Sequence, residues 1–186
     1  MKYLGGRILV REATEADGLK IAAQLREADR KEMWSAFRLM PEAGVTKSIR
    51  NSERAFVVEL EGEAVAVFGV MLISLIGRRG SIWLLGTDKI DRFCITFGRY
   101  TKAFVDSFLM EWESLENWVH EENRKSILWL KMAGFDIEEV KPFGLDEENF
   151  HHVIIRREAV HDVHGSNDGA KYIFQRIGRN RSETTV

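Results

Sequence analysis

The chain predicts an α/β (α+β) fold, a central mixed, mostly antiparallel twisted sheet of about seven strands flanked by about four helices, in the order βααβββαβαββ. Three observations carry this prediction. The apolar period switches repeatedly between two and about 3.6 residues. Only two prolines and no internal repeat interrupt it. With 45% hydrophobic residues, 186 residues suffice for one buried core.

The elements follow in order. "RILVREATEADGLKIAAQL" opens as an apolar strand and then changes period, with Thr14 as helix N-cap, Asp17 three residues on, and Ile21, Leu25 and Ala28 on one face. A second helix runs through "READRKEMWSAFRLM" and is predicted to stop near Pro41, with irregular chain up to about Arg54. "RAFVVELEGEAVAVFGVMLIS" reads as two strands joined at Gly62, and "SIWLLGTDKI", after the turn "GRRG", as the third strand of a meander. Phe97, Thr101, Phe104, Val105, Phe108, Leu109 and Trp112 then fall three and four apart, the spacing of a helix packed on the sheet. "LENWVHEE" is a short strand, "NRKSILWLKMAGF" a helix, and "FDIEEVKPFGLDEENFHHVIIRRE" two strands around a turn. Residues 1–157 form one predicted domain. Residues 158–186 form a C-terminal extension with a short docking segment near Tyr172 to Ile177, a site for a protein partner.

Charge and composition exclude some functions. Lys plus Arg (27) nearly balances Asp plus Glu (29), so no global field draws the chain to nucleic acid or an anionic membrane. Arg176, Arg179 and Arg181 are too few for a nucleic-acid-binding stripe. The longest apolar run, Ala64 to Gly77, contains a serine and a glycine and falls short of the ~20 residues a bilayer demands, so it reads as a buried strand. The only cysteine, Cys94, cannot form an internal disulfide, and "MKYLGGRILVREATEAD" lacks a signal segment, which points to the cytoplasm. His151 with His152, and His161 with His164, invite a metal reading, but no cysteine pair or third spaced ligand supports one, and no metal is expected. Trp34, Trp83, Trp112, Trp118 and Trp129 read as core or cleft wall.

The element order, with "ILVREATEAD", "AFVVELEGEAVAVFGV" and "NRKSILWLKMAGF" in the right sequence and spacing, resembles the GNAT family of N-acetyltransferases from about Arg7 to Arg157. "SIWLLGTDKI" and "NWVHEENRKSILWLKMAGF" also look like the small GNAT-like proteins encoded by T7-type podophages, which would place the chain in host cytoplasm or virion. The resemblance implies acetyl-coenzyme A as acyl donor and a primary amine, of a small molecule or a protein, as acceptor. It implies that the pantetheine arm lies along Trp83, Leu84, Leu85 and Gly86, opposite Trp118 to His120, with Asn123 and Ser126 contacting it. Residues from Arg26 to Arg54 would wall the acceptor side. The pyrophosphate would sit on amides near Gly98, helped by Arg99 or Lys102.

Departures from the family pattern accompany the match. The phosphate signature of Arg or Gln, two residues, Gly, any residue and Gly or Ala is reduced to "ITFGRYTK", with bulky Tyr100 in place of the second small residue. The tyrosine seven residues after the asparagine, the family's frequent general acid, is Leu130, which cannot protonate a leaving thiolate. His120 and Glu121 are the candidate catalytic substitutes at the strand end, with Glu122 beside them. Plain structural roles stand next to these. Asn123 is a good N-cap, Gly134 is what a left-handed C-terminal cap needs, Gly98 accommodates local backbone, and an exposed strand-end histidine is often a bystander. Two functions therefore stand: an acetyl-coenzyme A-dependent N-acetyltransferase, and a catalytically degenerate GNAT-like structural or interaction protein, phage virion-associated or morphogenesis-related. The discriminating feature is whether the strands around Trp83 and Trp118 splay into an open groove or are plugged by Tyr100 or Trp129.

Overall fold

Thr14 ends one extended run and starts the first helix. Its hydroxyl accepts the N–H of Asp17 (3.3 Å) while the Asp17 carboxylate accepts the N–H of Thr14 (2.9 Å), a reciprocal capping box. The computed structural model describes residues 2–4 and 8–158, of which 2–4 and 91–99 by backbone alone. Within them the chain forms strands β1 (Lys2–Leu4) and β2 (Ile8–Glu12), helices α1 (Glu15–Ala23), α2 (Glu27–Phe37) and α3 (Pro41–Arg50), and the meander β3 (Ser52–Leu60), β4 (Glu63–Ser74) and β5 (Arg79–Gly86). A 3-10 turn, Asp88–Phe93, leads into α4 (Cys94–Leu109), followed by β6 (Ser114–His120), α5 (Arg124–Met132), β7 (Asp136–Phe143) and β8 (Glu148–Arg156). The predicted extension with Tyr172 to Ile177, the tail arginines, His161 and His164 lies outside the described residues.

All strands join one sheet in the order β1-β2-β3-β4-β5-β6-β8-β7. Every neighbouring pair is antiparallel except β5 with β6. The predicted mixed, mostly antiparallel sheet is present, with its seven expected strands as β2 to β8. Period-two alternation divides the core. Phe56, Phe68, Val70, Leu115 and Val119 face α4 and its Phe104, Val105 and Phe108, whereas Val57, Val67 and Trp83 pack with Ile21, Ala22 and Val45 on the opposite side. Phe68 packs edge-on to Phe104 at 4.9 Å between ring centroids, joining sheet and helix.

Three boundaries differ from the sequence reading. Pro41 does not stop a helix but starts one: α2 ends with Arg38 in the left-handed region, and Pro41 takes the first position of α3, where its fixed φ suits the turn and its missing N–H has no intrahelical partner to lose. A short strand, β1, precedes the predicted opening strand. The fourth helix begins at Cys94 rather than near Phe97, because its first turn lies ahead of the amphipathic spacing that signals it.

The predicted turns hold. Glu61 (φ 52°) and Gly62 (φ 86°) form the two central positions between Leu60 and Glu63, the positive-φ pair of a tight hairpin. At the end of α5, Phe135 N–H donates to Leu130 O (3.0 Å) and Gly134 N–H to Lys131 O (3.0 Å), with Gly134 at φ 96°. This is the Schellman arrangement, and it returns Phe135 to the core. Gly134→Ala is expected to lower stability by about 1 kcal/mol through the Cβ penalty at positive φ, read as a lower midpoint in urea with unchanged slope.

Candidate active site

The parallel neighbours β5 and β6 pair at Arg79 with Ser114, Gly80 with Leu115 and Ser81 with Glu116, and then part. Where their backbone groups go fixes the site. Thr87 N–H donates to Val65 O (2.9 Å), toward β4, so strand alternation turns the groups of Gly86, Leu84 and Ile82 the other way, into the gap. Across it, Glu121 N–H donates to Asn149 O (3.0 Å), toward β8, which turns His120 and Trp118 into the same gap.

Helix α2 closes the wide end. Asp29 and Glu32, three residues apart on one face, reach one strand each: Asp29 Oδ2 accepts the N–H of Gly86 (2.9 Å), and Glu32 Oε1 accepts the N–H of His120 (2.9 Å). Arg26 completes this end, its N–H donating to Gly86 O (2.9 Å) and its guanidinium gripping Asp29 through Nη2 (2.7 Å) and Nε (3.1 Å). Trp118 N–H is taken by the neighbouring Asn117 Oδ1 (2.7 Å). Between the paired end and this helical wedge, the edge of β5 at Leu84 faces an open cleft of about 710 Å³ including its mouth. Phe104, Val105 and Phe108 of α4 and Trp129 and Leu130 of α5 form apolar walls, and Asp29, Glu32, Asn117 and Ser126 supply polar groups.

The two carboxylates differ. Asp29 is buried and matched by a full charge. Glu32 has Oε1 held by His120 N–H and by Asn123 Nδ2 (2.9 Å), while Oε2 has no hydrogen bond among the described residues. Burial pushes the Glu32 carboxyl up to about 7; the Asn123 hydrogen bond opposes this, and the nearby charge of Asp29 adds to it. A half-buried acid in the cleft thus titrates near neutrality, with one oxygen fixed and one available.

The predicted site residues divide accordingly. Trp83, Leu84 and Ser126 line the cleft; the side chain of Leu85 packs on the opposite face of the sheet, with the core of α1 and α3. Asn123 is buried, caps α5 by accepting Ser126 N–H (3.3 Å), and holds Glu32, so it does two jobs at once. Gly98 and Arg99 fall on α4 as its fifth and sixth residues, counted from Cys94, beyond the four N–H groups that a helix start leaves free. Their side chains are outside the described residues.

His120 and Glu121 do not line the cleft. The His120 ring is buried against Phe150, with Nδ1 accepting Glu122 N–H (3.2 Å) and Nε2 on Glu148 Oε2 (2.6 Å), a carboxylate also bound by Ser35 Oγ (2.9 Å). Glu121 is exposed and accepts from Asn149 Nδ2 (3.0 Å). Glu122 pairs with Lys31 at the surface. Tyr100, half-buried, packs against the core and does not line the cleft, and Trp129 forms its wall. Glu32 and Asp29 are functional candidates that sequence reasoning missed. Their signal was the acidic spacing in "EADRKE", within the Arg26–Arg54 stretch expected to wall the acceptor side. On a helix such spacing otherwise reads as a solvated face. Among the described residues, no three His, Cys, Asp or Glu side chains group to hold a metal, and no helix is long and apolar enough to cross a membrane.

No protein-family model and no curated protein sequence matches the chain. Solved structures do. The ribosomal-protein-S5-alanine acetyltransferase of Vibrio fischeri superposes with a TM-score of 0.63 over 84% of this chain and 96% of that one, at 16% identity. An acetyltransferase of the GNAT family from Bacillus anthracis gives 0.61 over 82% and 96%, at 16% identity. The fold is that of the GNAT acetyltransferases. Spermidine N-acetyltransferase from Vibrio cholerae, solved with CoA and spermine, shares this GNAT fold with a TM-score of 0.61 over 82% of this chain and 97% of that one, also at 16% identity.

Glu32 generates a pH prediction. Its folded pKa is raised above its unfolded value, so the folded state binds the extra proton between about pH 4.5 and 7, and stability falls as pH rises through that window. Glu32→Gln keeps an oxygen for His120 N–H and removes the charge. It is expected to match the parent near pH 4 and to lose less stability than the parent by pH 8, measured by urea unfolding across the range.

Proposed function

We propose that the cleft binds an acyl-coenzyme A, acetyl-coenzyme A first, and that the protein transfers the acyl group to a primary amine in the cytoplasm. The observation that carries this reading is the open gap between β5 and β6, with a strand edge at Leu84 on one side and an available carboxylate oxygen of Glu32 at its wide end. An extended amide-bearing arm fits such an edge, because it can pair with the N–H and C=O of Leu84 as a short extra strand. Ser126 and Asn117 lie within the same cleft for further polar contacts.

A bound acyl-coenzyme A supplies the activated acyl carbon and a thiolate leaving group. The chain's own work is to position and to move a proton. Glu32 takes the proton released by the acceptor nitrogen; a carboxyl near 7 is partly ionised at neutral pH and well matched to that task. Asn123 Nδ2 and His120 N–H hold Oε1 so that Oε2 faces the acceptor. His120 therefore serves through its backbone. The Leu130 side chain contributes apolar wall and no proton, leaving the thiolate to be protonated by water. The fold-sharing enzymes are named for an alanine of a ribosomal protein and for spermidine, and spermidine carries primary amines.

A second reading, a GNAT-like module that binds partners without turnover, draws on Leu130 and on Tyr100 at the expected second small position after Gly98. A phage-associated role belongs to that reading. Calorimetric titration with acetyl-coenzyme A separates the two. The expected result is micromolar binding by the parent, binding abolished by Ser126→Trp, and binding retained by Glu32→Gln with amine acetylation lowered by about 100-fold and its pH dependence near 7 lost. Absence of binding by folded parent protein at millimolar ligand would reject the transferase and favour the interaction module.

A further inference from the structure

The hairpin that joins β4 to β5 carries an apolar tip away from the cleft. Leu72 (44% exposed) and Ile73 (46%) at the end of β4, with Leu75 (78%) and Ile76 (100%) in the turn, expose aliphatic side chains within five positions of chain. Single exposed leucines are ordinary; a turn that exposes Leu75 and Ile76 side by side, next to half-exposed Leu72 and Ile73 at the strand end, is not, and surfaces of this kind are normally covered.

The course of the chain brings one cover within reach. Strand β8 ends with Arg156 opposite Ser114, and Ser114 pairs with Arg79 at the foot of the hairpin. Arg157 N–H donates to Glu113 O (2.8 Å), and Glu113 N–H donates to Arg78 O (2.8 Å) in the turn itself. The described chain thus leaves the sheet two hydrogen-bonded steps, about 10 Å, from Arg78 in the turn, two residues from Ile76. Residues 159–171 then reach on the order of 40 Å if extended, far more than needed. They are followed by "KYIFQRI", in which Ile173, Phe174 and Ile177 recur three and four apart, the spacing that gathers apolar side chains on one face.

We propose that the β4–β5 hairpin tip is the docking site of the chain's own C-terminal segment, Tyr172–Ile177. The face of Ile173, Phe174 and Ile177 would bring one aromatic and two aliphatic side chains to Leu75, Ile76 and the exposed strand end beside them, at a high effective concentration set by the short tether. This inference is independent of the acyl-transfer reading, and its test uses no coenzyme.

Hydrogen–deuterium exchange on the full chain is the experiment, with Phe174→Asp, Phe174→Ala and Ile76→Asp compared with the parent. Docking predicts reciprocity: either Phe174 variant raises exchange at the hairpin amides 73–79 about tenfold, Ile76→Asp raises exchange across 172–177 by a similar factor, and sedimentation shows a monomer throughout. A parent hairpin that exchanges freely would overturn the proposal. A protected hairpin indifferent to Phe174, together with a dimer broken by Ile76→Asp, would also overturn it and assign the tip to a second copy.

Discussion

The structure depends on how the edge amides of two parting strands are satisfied. Parallel pairing between β5 and β6 lasts for three residues and is then abandoned, which leaves backbone N–H groups facing a gap inside the protein. Helix α2 resolves this with two carboxylates a turn apart, Asp29 on Gly86 and Glu32 on His120. The sheet can therefore open without leaving those buried donors unpaired. The cleft is the space that this arrangement keeps free, and its walls come from α4 and α5 because the apolar face of the sheet on that side needs cover in any case.

The same wedge explains why the two acids differ in chemistry. Asp29 meets a guanidinium with both oxygens, so its charge is balanced where it is buried. Glu32 meets only neutral donors, and through one oxygen. Desolvation then outweighs hydrogen bonding, and the carboxyl holds its proton to near neutral pH. One helix turn thus supplies a structural anion and a titrating acid from the same residue class.

Much of the fold was legible in local signals. Thr14 with Asp17, Gly62 in the hairpin and Gly134 after "SILWLKMA" each act within a few residues, and each predicted the turn or cap that forms. Pro41 misled because a proline can end one helix or begin the next, and its own sequence neighbourhood does not distinguish the two. Gly98 was read as a helix start because amphipathic spacing begins at Phe97, whereas the helix starts a turn earlier. The site was less legible than the fold. Trp83, Leu84 and Ser126 could be placed at the cleft from the family order, but Glu32 acquires its character from a strand far along the chain. Nothing within "DRKEMW" encodes that neighbour. His120 drew attention for its imidazole, while its backbone N–H is what reaches the cleft.

The Glu32 to His120 bond spans 88 residues of sequence, and the Asn123 to Glu32 bond spans 91. A ribosome must therefore release α1 to α3, the whole meander and α4 before the strand that completes the wedge exists. Loop closure over such a distance is entropically expensive and comes late, so the N-terminal layer can be packed while the pocket is still unformed. During synthesis the protein passes through a stage with most of a sheet and no cleft, and the pocket takes shape only when the last third of the fold has been delivered.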